Sequence, residues 1–166
     1  FLSPREQNWP LDEVSRQLFF TRQTNLAGHA FFRNRFLLDN VKGIFDELKY
    51  EFYTAPALVP PMTWQDSIAP IPPTSPVYET LEDGSTKLSW SASKDNDNLP
   101  VVYHLYASNT YPVNTDDAHH LFLTSLRDTS ITLKPGEGGT YYAVTSADRY
   151  GNESAPLALN EASKND

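Results

Sequence analysis

Apolar residues near the start of the chain recur at helical spacing. Leu11, Val14, Leu18 and Phe19 fall at i, i+3, i+7 and i+8, one stripe of a helix that Pro10 can open and that runs to about Arg22. The breaker at residues 25–28 ends it, and Ala30, Phe31 and Phe32 then form a short apolar run, read as a buried strand over residues 28–33. Behind Asp39 or Asn40, either able to cap, Val41, Ile44, Phe45, Leu48 and Phe52 return to helical spacing, with Gly43 a weak point inside the stripe. Further on the period drops to two. Residues 87–92, 101–107, 121–124, 130–133 and 140–147 alternate or carry β-branched and aromatic side chains. Turn signals at Asp83-Gly84, Asp95-Asn96-Asp97-Asn98, Pro135-Gly136 and Gly151-Asn152 separate them, the pattern of an antiparallel β-sandwich.

Proline marks the change of period. Seven of the 13 prolines lie between Pro56 and Pro76, a stretch that must be extended and largely free of helix or central strand. A boundary at residues 66–72 follows. The expected organisation is an α/β segment over 1–66, a proline-rich lead-in over 67–76, a sandwich over 77–160 and a polar tail over 161–166. Charge divides with it: residues 1–69 hold 7 Lys+Arg against 8 Asp+Glu, residues 70–166 hold 6 against 13.

A single strand between two amphipathic helices leaves its backbone groups unpaired on both edges, and buried orphans cost roughly 1–3 kcal/mol each. The economical solution is that residues 1–66 end an α/β domain whose earlier strands lie upstream. The alternatives are that Phe31 and Phe32 join the sandwich or pair with another copy of the chain. The 166 residues fit one medium domain or two small ones. They begin with Phe and show no signal-peptide pattern, so the chain is expected to be a piece of a larger protein. A net charge of −8 argues against nucleic acid as a partner, and zero Cys excludes disulfides, a thiol nucleophile and Cys-ligated zinc. No apolar run approaches the ~20 residues of a membrane-spanning helix.

The second half resembles a fibronectin type III domain of the kind appended to bacterial polysaccharide-degrading enzymes. Leu88-Ser89-Trp90, the 94–98 loop, Tyr103-His104-Leu105-Tyr106, Leu133-Lys134-Pro135-Gly136, Tyr142-Ala143-Val144-Thr145 and the closing residues 147–154 carry the likeness. It implies Trp90 in the core and Tyr142 anchoring a late strand. The first half resembles the C-terminal end of a glycoside hydrolase-like family 10 domain, a (β/α)8 barrel. The carriers are residues 14–22, Gly28-His29-Ala30-Phe31-Phe32, Lys42-Gly43-Ile44, and above all the run from Tyr53 through Pro56-Ala57-Leu58-Val59-Pro60-Pro61-Met62 to Trp64. The fold class implied is an α+β fragment: helix–strand–helix from the end of a TIM-type barrel, then an immunoglobulin-like sandwich.

Glycoside hydrolysis generally needs two carboxyl groups facing one cleft, at strand ends in a barrel. The one candidate barrel strand ends in Arg33, Asn34 and Arg35 and offers none. No catalytic residue is expected in this chain. At a barrel mouth Arg33, Asn34 and Arg35 would instead be substrate contacts, an arginine forking to a sugar hydroxyl or carboxylate; the competing reading is an arginine paired with a loop acid. Asp12-Glu13, Asp46-Glu47 and Asp116-Asp117 read as solvated surface. His119-His120 lacks further ligands, so no metal and no cofactor is expected. Asp95-Asn96-Asp97-Asn98 reads as a turn with Asx side chains bonding to backbone, since the glycine and distant glutamate of an EF-hand are missing. Asn152-Glu153-Ser154 fits a glycosylation sequon or an ordinary turn. Tyr103, Tyr106, Tyr111, Tyr141 and Tyr150 include candidates for a sugar-stacking platform.

The resemblance implies an extracytoplasmic bacterial protein, with the sandwich as accessory or spacer and chemistry upstream. The expected partners are the upstream barrel, polysaccharide, and a second copy of the fragment. The rival is a non-catalytic module that binds carbohydrate or protein.

Overall fold

The computed structural model describes residues 9–24, 26 and 28–160. Residues 1–8, Asn25 and Ala27 of the helix breaker, and the tail at 161–166 lie outside the described residues. The fold is α+β, and the chain divides into two compact units, Phe1–Thr54 and Ala55–Asp166.

In the first unit, α1 (Leu11–Gln23) forms where the apolar stripe predicts it, with Asp12 and Glu13 in the first turn and Arg22 in the last, as the helix dipole favours. Val14 and Leu18 are buried, whereas Phe19 stays 59% exposed and meets Phe52 edge-on. Residues 28–33 do not form the expected strand. They run without a ladder partner into a short helix, α2 (Arg35–Leu38), with Phe31 half-buried and Phe32 86% exposed. The physical reason is pairing: the described residues of this unit contain no second strand, so an extended backbone here is satisfied only by staying open to water. The helix–strand–helix reading is therefore corrected to helices joined by an extended loop.

The continuous second helix is corrected as well. Lys42 at φ 57° and Gly43 at φ +79° interrupt it, leaving a 3-10 turn (Val41–Gly43), α3 (Ile44–Glu47) and a π turn (Leu48–Phe52). Its inward face survives the break, because Ile44, Leu48 and Phe52 all pack with Val14 and Leu18.

The second unit holds every described strand: β1 (Thr74–Thr80), β2 (Thr86–Ser91), β3 (Val102–Ser108), β4 (Leu121–Leu126), β5 (Ser130–Leu133), β6 (Tyr141–Ala147) and β7 (Leu157–Ala158). They form two antiparallel sheets, ordered β1-β2-β5 and β4-β3-β6-β7. Alternation places Leu88 and Trp90 of β2 inward beside outward Lys87, Ser89 and Ser91. They meet Leu133 of β5, Tyr103 and Leu105 of β3, and Tyr142 and Val144 of β6 in one core. Burying each aliphatic side chain there contributes about 2 kcal/mol. β1 begins inside the segment expected to be a lead-in. It tolerates Pro76 because it is an edge strand, and its register shifts between Thr74 and Val77, where Ser75 takes φ 54°.

The structural division falls between Thr54 and Ala55, N-terminal to the proline-derived boundary. Residues 55–66 belong with the sheets for identifiable reasons. Leu58 packs on Tyr106, Leu121 and Ala143. The Met62 N–H donates to Tyr150 O at 2.8 Å, and Asn152 Nδ2 donates to Asp66 O at 3.0 Å.

Candidate functional site

Arg33, Asn34 and Arg35 are all exposed and lie where the extended loop meets α2. Arg33 helps line an apolar cleft of about 120 Å³ whose walls include Val14, Leu18, Phe31 and Leu37. Asn34 belongs to a second, more open hollow with Leu38, Phe45 and Tyr53. Arg35 is engaged locally, its Nε donating to Asp39 Oδ2 at 2.9 Å. The three residues thus face different surroundings and do not form one constellation. The loop is held at His29, whose Nε2 pairs with the Tyr53 hydroxyl and whose ring stands edge-on to Phe31 at 5.1 Å. Arg22 donates to Phe52 O and lies over the Phe52 and Tyr53 rings. Among the described residues neither hollow is lined by a carboxylate, so neither offers the pair of carboxyl groups that glycoside hydrolysis generally needs.

Carboxylates do converge in the second unit, at one end of its sheets. Asp66 comes from the turn that follows Met62, Asp95 from the loop after β2, and Asp148 from the loop after β6. One oxygen of each lies within 4.8 Å of the others, and Asp95 and Asp148 are each only 6% exposed. Asp148 is held firmly: its Oδ1 accepts from the Tyr150 and Asn152 N–H groups at 2.8 Å, and its Oδ2 from Asn152 Nδ2 at 2.7 Å. Asp66 Oδ1 accepts from the Ile68 N–H at 3.0 Å. Asp95 differs, since its Oδ1 is buried without a hydrogen-bond partner. Burial pushes the Asp95 carboxyl above its ordinary value, and a hydrogen bond shared with Asp97 and the charge of Asp148 add to the shift. Arg149, the nearby cation, lies over the Tyr150 ring and 3.9 Å from Asp97.

Sequence reading missed this cluster. It treated residues 95–98 as an Asx turn, which holds for Asp97, whose Oδ1 accepts from the Leu99 N–H at 2.8 Å, and not for Asp95. The three acids are far apart in sequence, and only a closed sheet unit brings their loops together. Asn152 also has a structural use: its side-chain nitrogen is spent on Asp148 and Asp66, which leaves the sequon without an accessible acceptor.

The remaining candidates separate by burial. Tyr103 and Tyr106 are core residues and Tyr150 is half-buried, whereas Tyr111 is 42% exposed and lies 5.5 Å from the half-buried Tyr141 ring. His119 and His120 form a 3-10 turn capped by Asp117; His119 Nδ1 pairs with Asp117, and His120 Nδ1 pairs with Asn114 O at 2.8 Å. Several of the paired acids meet a neighbour: Glu13 binds Arg16, Asp46 binds Asn40, and Glu47 accepts from Ser15. Among the described residues, no helix is long and apolar enough to cross a membrane.

No family profile matches the chain. It is similar to the protein named Glycosyl hydrolase YngK of Bacillus subtilis (strain 168), with 33% identity over 149 residues, or 86% of this chain. The chain spans 28% of the length of that relative, so the likeness relates it to one part of a glycoside hydrolase-related protein.

Proposed function

We propose that the chain is the C-terminal part of an extracytoplasmic bacterial glycoside hydrolase-like protein of family 10, acting on polysaccharide or cell-wall glycan through residues upstream. The similarity to a protein named as a glycosyl hydrolase over most of this chain carries the reading. Residues 9–54 would be the last helices of the barrel, and the sheet unit a fibronectin type III-like sandwich serving as accessory or spacer. Three features favour that sandwich: the β1-β2-β5 and β4-β3-β6-β7 orders, the core Trp90, and Tyr142, whose hydroxyl donates back to Glu137 O at 2.7 Å. The upstream barrel as partner is favoured by the first unit, which leaves Phe19, Phe20, Phe32, Leu38 and Tyr50 more than half exposed. Within such a barrel Arg33, Asn34 and Arg35 would contact substrate rather than transform it. Asp95 and Asp148 are too deeply buried to flank a glycosidic bond.

The test is reducing-end release from a panel of polysaccharides and cell-wall glycans by the complete gene product and by this chain alone. Release by the complete product and none by the chain is expected. A complete product inert on every glycan would overturn the reading. A second reading, a glycan-binding module, is favoured by the exposed Tyr111 beside Tyr141. Saturable quenching of intrinsic fluorescence by a glycan, lost in Tyr111→Ala, would support it.

A further inference from the structure

We infer that Asp66, Asp95 and Asp148 form a binding site for a hard divalent cation, calcium in the first instance. Two independent observations converge. Three carboxylates offer oxygens within 4.8 Å of one another, and two of them are 94% removed from solvent by the 6% exposure of each. A pair of buried carboxylates this close repel one another unless a proton or a cation lies between them. The second observation is the orphaned Asp95 Oδ1, buried at the cluster with no donor among the described residues. A buried acceptor without a partner is costly, and in native proteins it marks a group that something else satisfies.

A proton shared between Asp95 and Asp97 is the alternative to a cation, and the nearby donors among the described residues are committed elsewhere. Asn152 gives its side-chain N–H groups to Asp148 and to Asp66 O, and the Arg149 guanidinium is turned to Asp97 and Tyr150. The donor set consists of carboxylate oxygens, and neither histidine nor cysteine belongs to the group, which selects hard cations over zinc or copper. Calcium suits it better than magnesium, because ligands drawn from three separate loops give an irregular shell, and magnesium demands a near-ideal octahedron. The location gives such an ion a structural role. It would join the turn holding Asp66 to the loops after β2 and β6, and so tie residues 55–73 to the end of the sheets.

Isothermal titration of the chain, stripped with chelator, with CaCl2 tests this directly. A dissociation constant of roughly 10⁻⁵–10⁻³ M is expected, with weaker binding of MgCl2. Saturating Ca²⁺ should also raise Tm by about 5 °C or more. Asp95→Asn keeps the shape and removes one ligand charge, and should abolish both responses. It also lowers the net negative charge, so Asp128→Asn, an exposed acid elsewhere, is its control and should retain both. Absence of a binding heat from wild-type protein up to about 10 mM Ca²⁺, well past the weak end for such sites, would overturn the inference. So would a Tm response that Asp95→Asn keeps or that Asp128→Asn loses, which would trace the effect to general screening of a charged surface.

Discussion

At the scale of single residues, the sheet unit carries polar groups in its interior, and their partners decide what each contributes. Glu153 Oε1 accepts from the Tyr106 hydroxyl at 2.7 Å and from Thr145 Oγ1, so a carboxyl beside the core is held by hydroxyl donors rather than by a cation. Burial, with the same carboxylate adding to it, pushes the Tyr106 phenol far above its ordinary range. Among the described histidines, His104 carries a shift of its own. Burial lowers its pKa, with Glu153 opposing, and its Nδ1 accepts from the Ser125 N–H at 3.3 Å, a role that only the neutral ring can fill. The folded value lies below the unfolded one, so stability is full above about pH 6.5 and is lost as pH falls through the folded value. Between about pH 7 and pH 5, wild-type protein should therefore lose urea midpoint while His104→Gln loses less. Equal losses in the two would show that His104 does not carry the dependence. The hydrophobic alternation of residues 101–107 placed His104 on a strand, but the donor that fixes its protonation comes from β4, and strand-to-strand pairing is not written in either segment alone.

At the scale of elements, what was legible followed from periodicity, and what was not followed from pairing and from backbone sign. The α1 stripe and five of the strands declared themselves because each carries its own repeat. β1 hid among prolines, since an edge strand can accept Pro76 where an inner strand cannot. β7 is two residues long and has no period to read. The apolar run at Ala30–Phe32 looked like a strand, yet hydrophobicity does not supply a ladder partner. The helix over 41–52 read as continuous, but two residues with positive φ break it, and only Gly43 advertised that possibility. Asn40 makes the break workable. It occupies the left-handed region at φ 44°, and its Oδ1 accepts from the Phe45 N–H at 2.9 Å, serving the first turn of α3 where Gly43 has no side chain to offer. Asn40→Gly keeps the backbone sign and loses the cap, at a cost of about 1 kcal/mol; Asn40→Ala loses both, at about 2 kcal/mol. Amide exchange at Phe45 and Asp46 reads this directly. Faster exchange in both variants, greater in the alanine one, is expected; unchanged exchange would show that the cap holds nothing.

At the scale of the whole chain, the revealing difference is where one unit stops and the other starts. Proline density pointed to residues 66–72 because proline reports stiffness, not membership. Membership is decided by burial and hydrogen bonds, and residues 55–66 give theirs to the sheets: Leu58 covers Tyr106 and Ala143 on the outer face of the β3–β6 pair, Met62 bonds Tyr150, and Asp66 bonds Asn152. Gly151 records the same closeness, since at φ +83° a Cβ there would stand 3.0 Å from Val59 O. A chain of residues 55–166 should therefore fold with the stability of the sheet unit in the parent chain. One that starts at residue 67, as the proline pattern would suggest, loses two hydrogen bonds and the Leu58 contact, roughly 1 kcal/mol each. The comparison is made in chelator, so that a cation at Asp66 contributes to neither. Urea unfolding should then place the shorter chain about 3 kcal/mol below the longer one, with a smaller but still cooperative transition. Equal midpoints would return the 55–66 segment to the status of a linker and move the boundary back to the prolines.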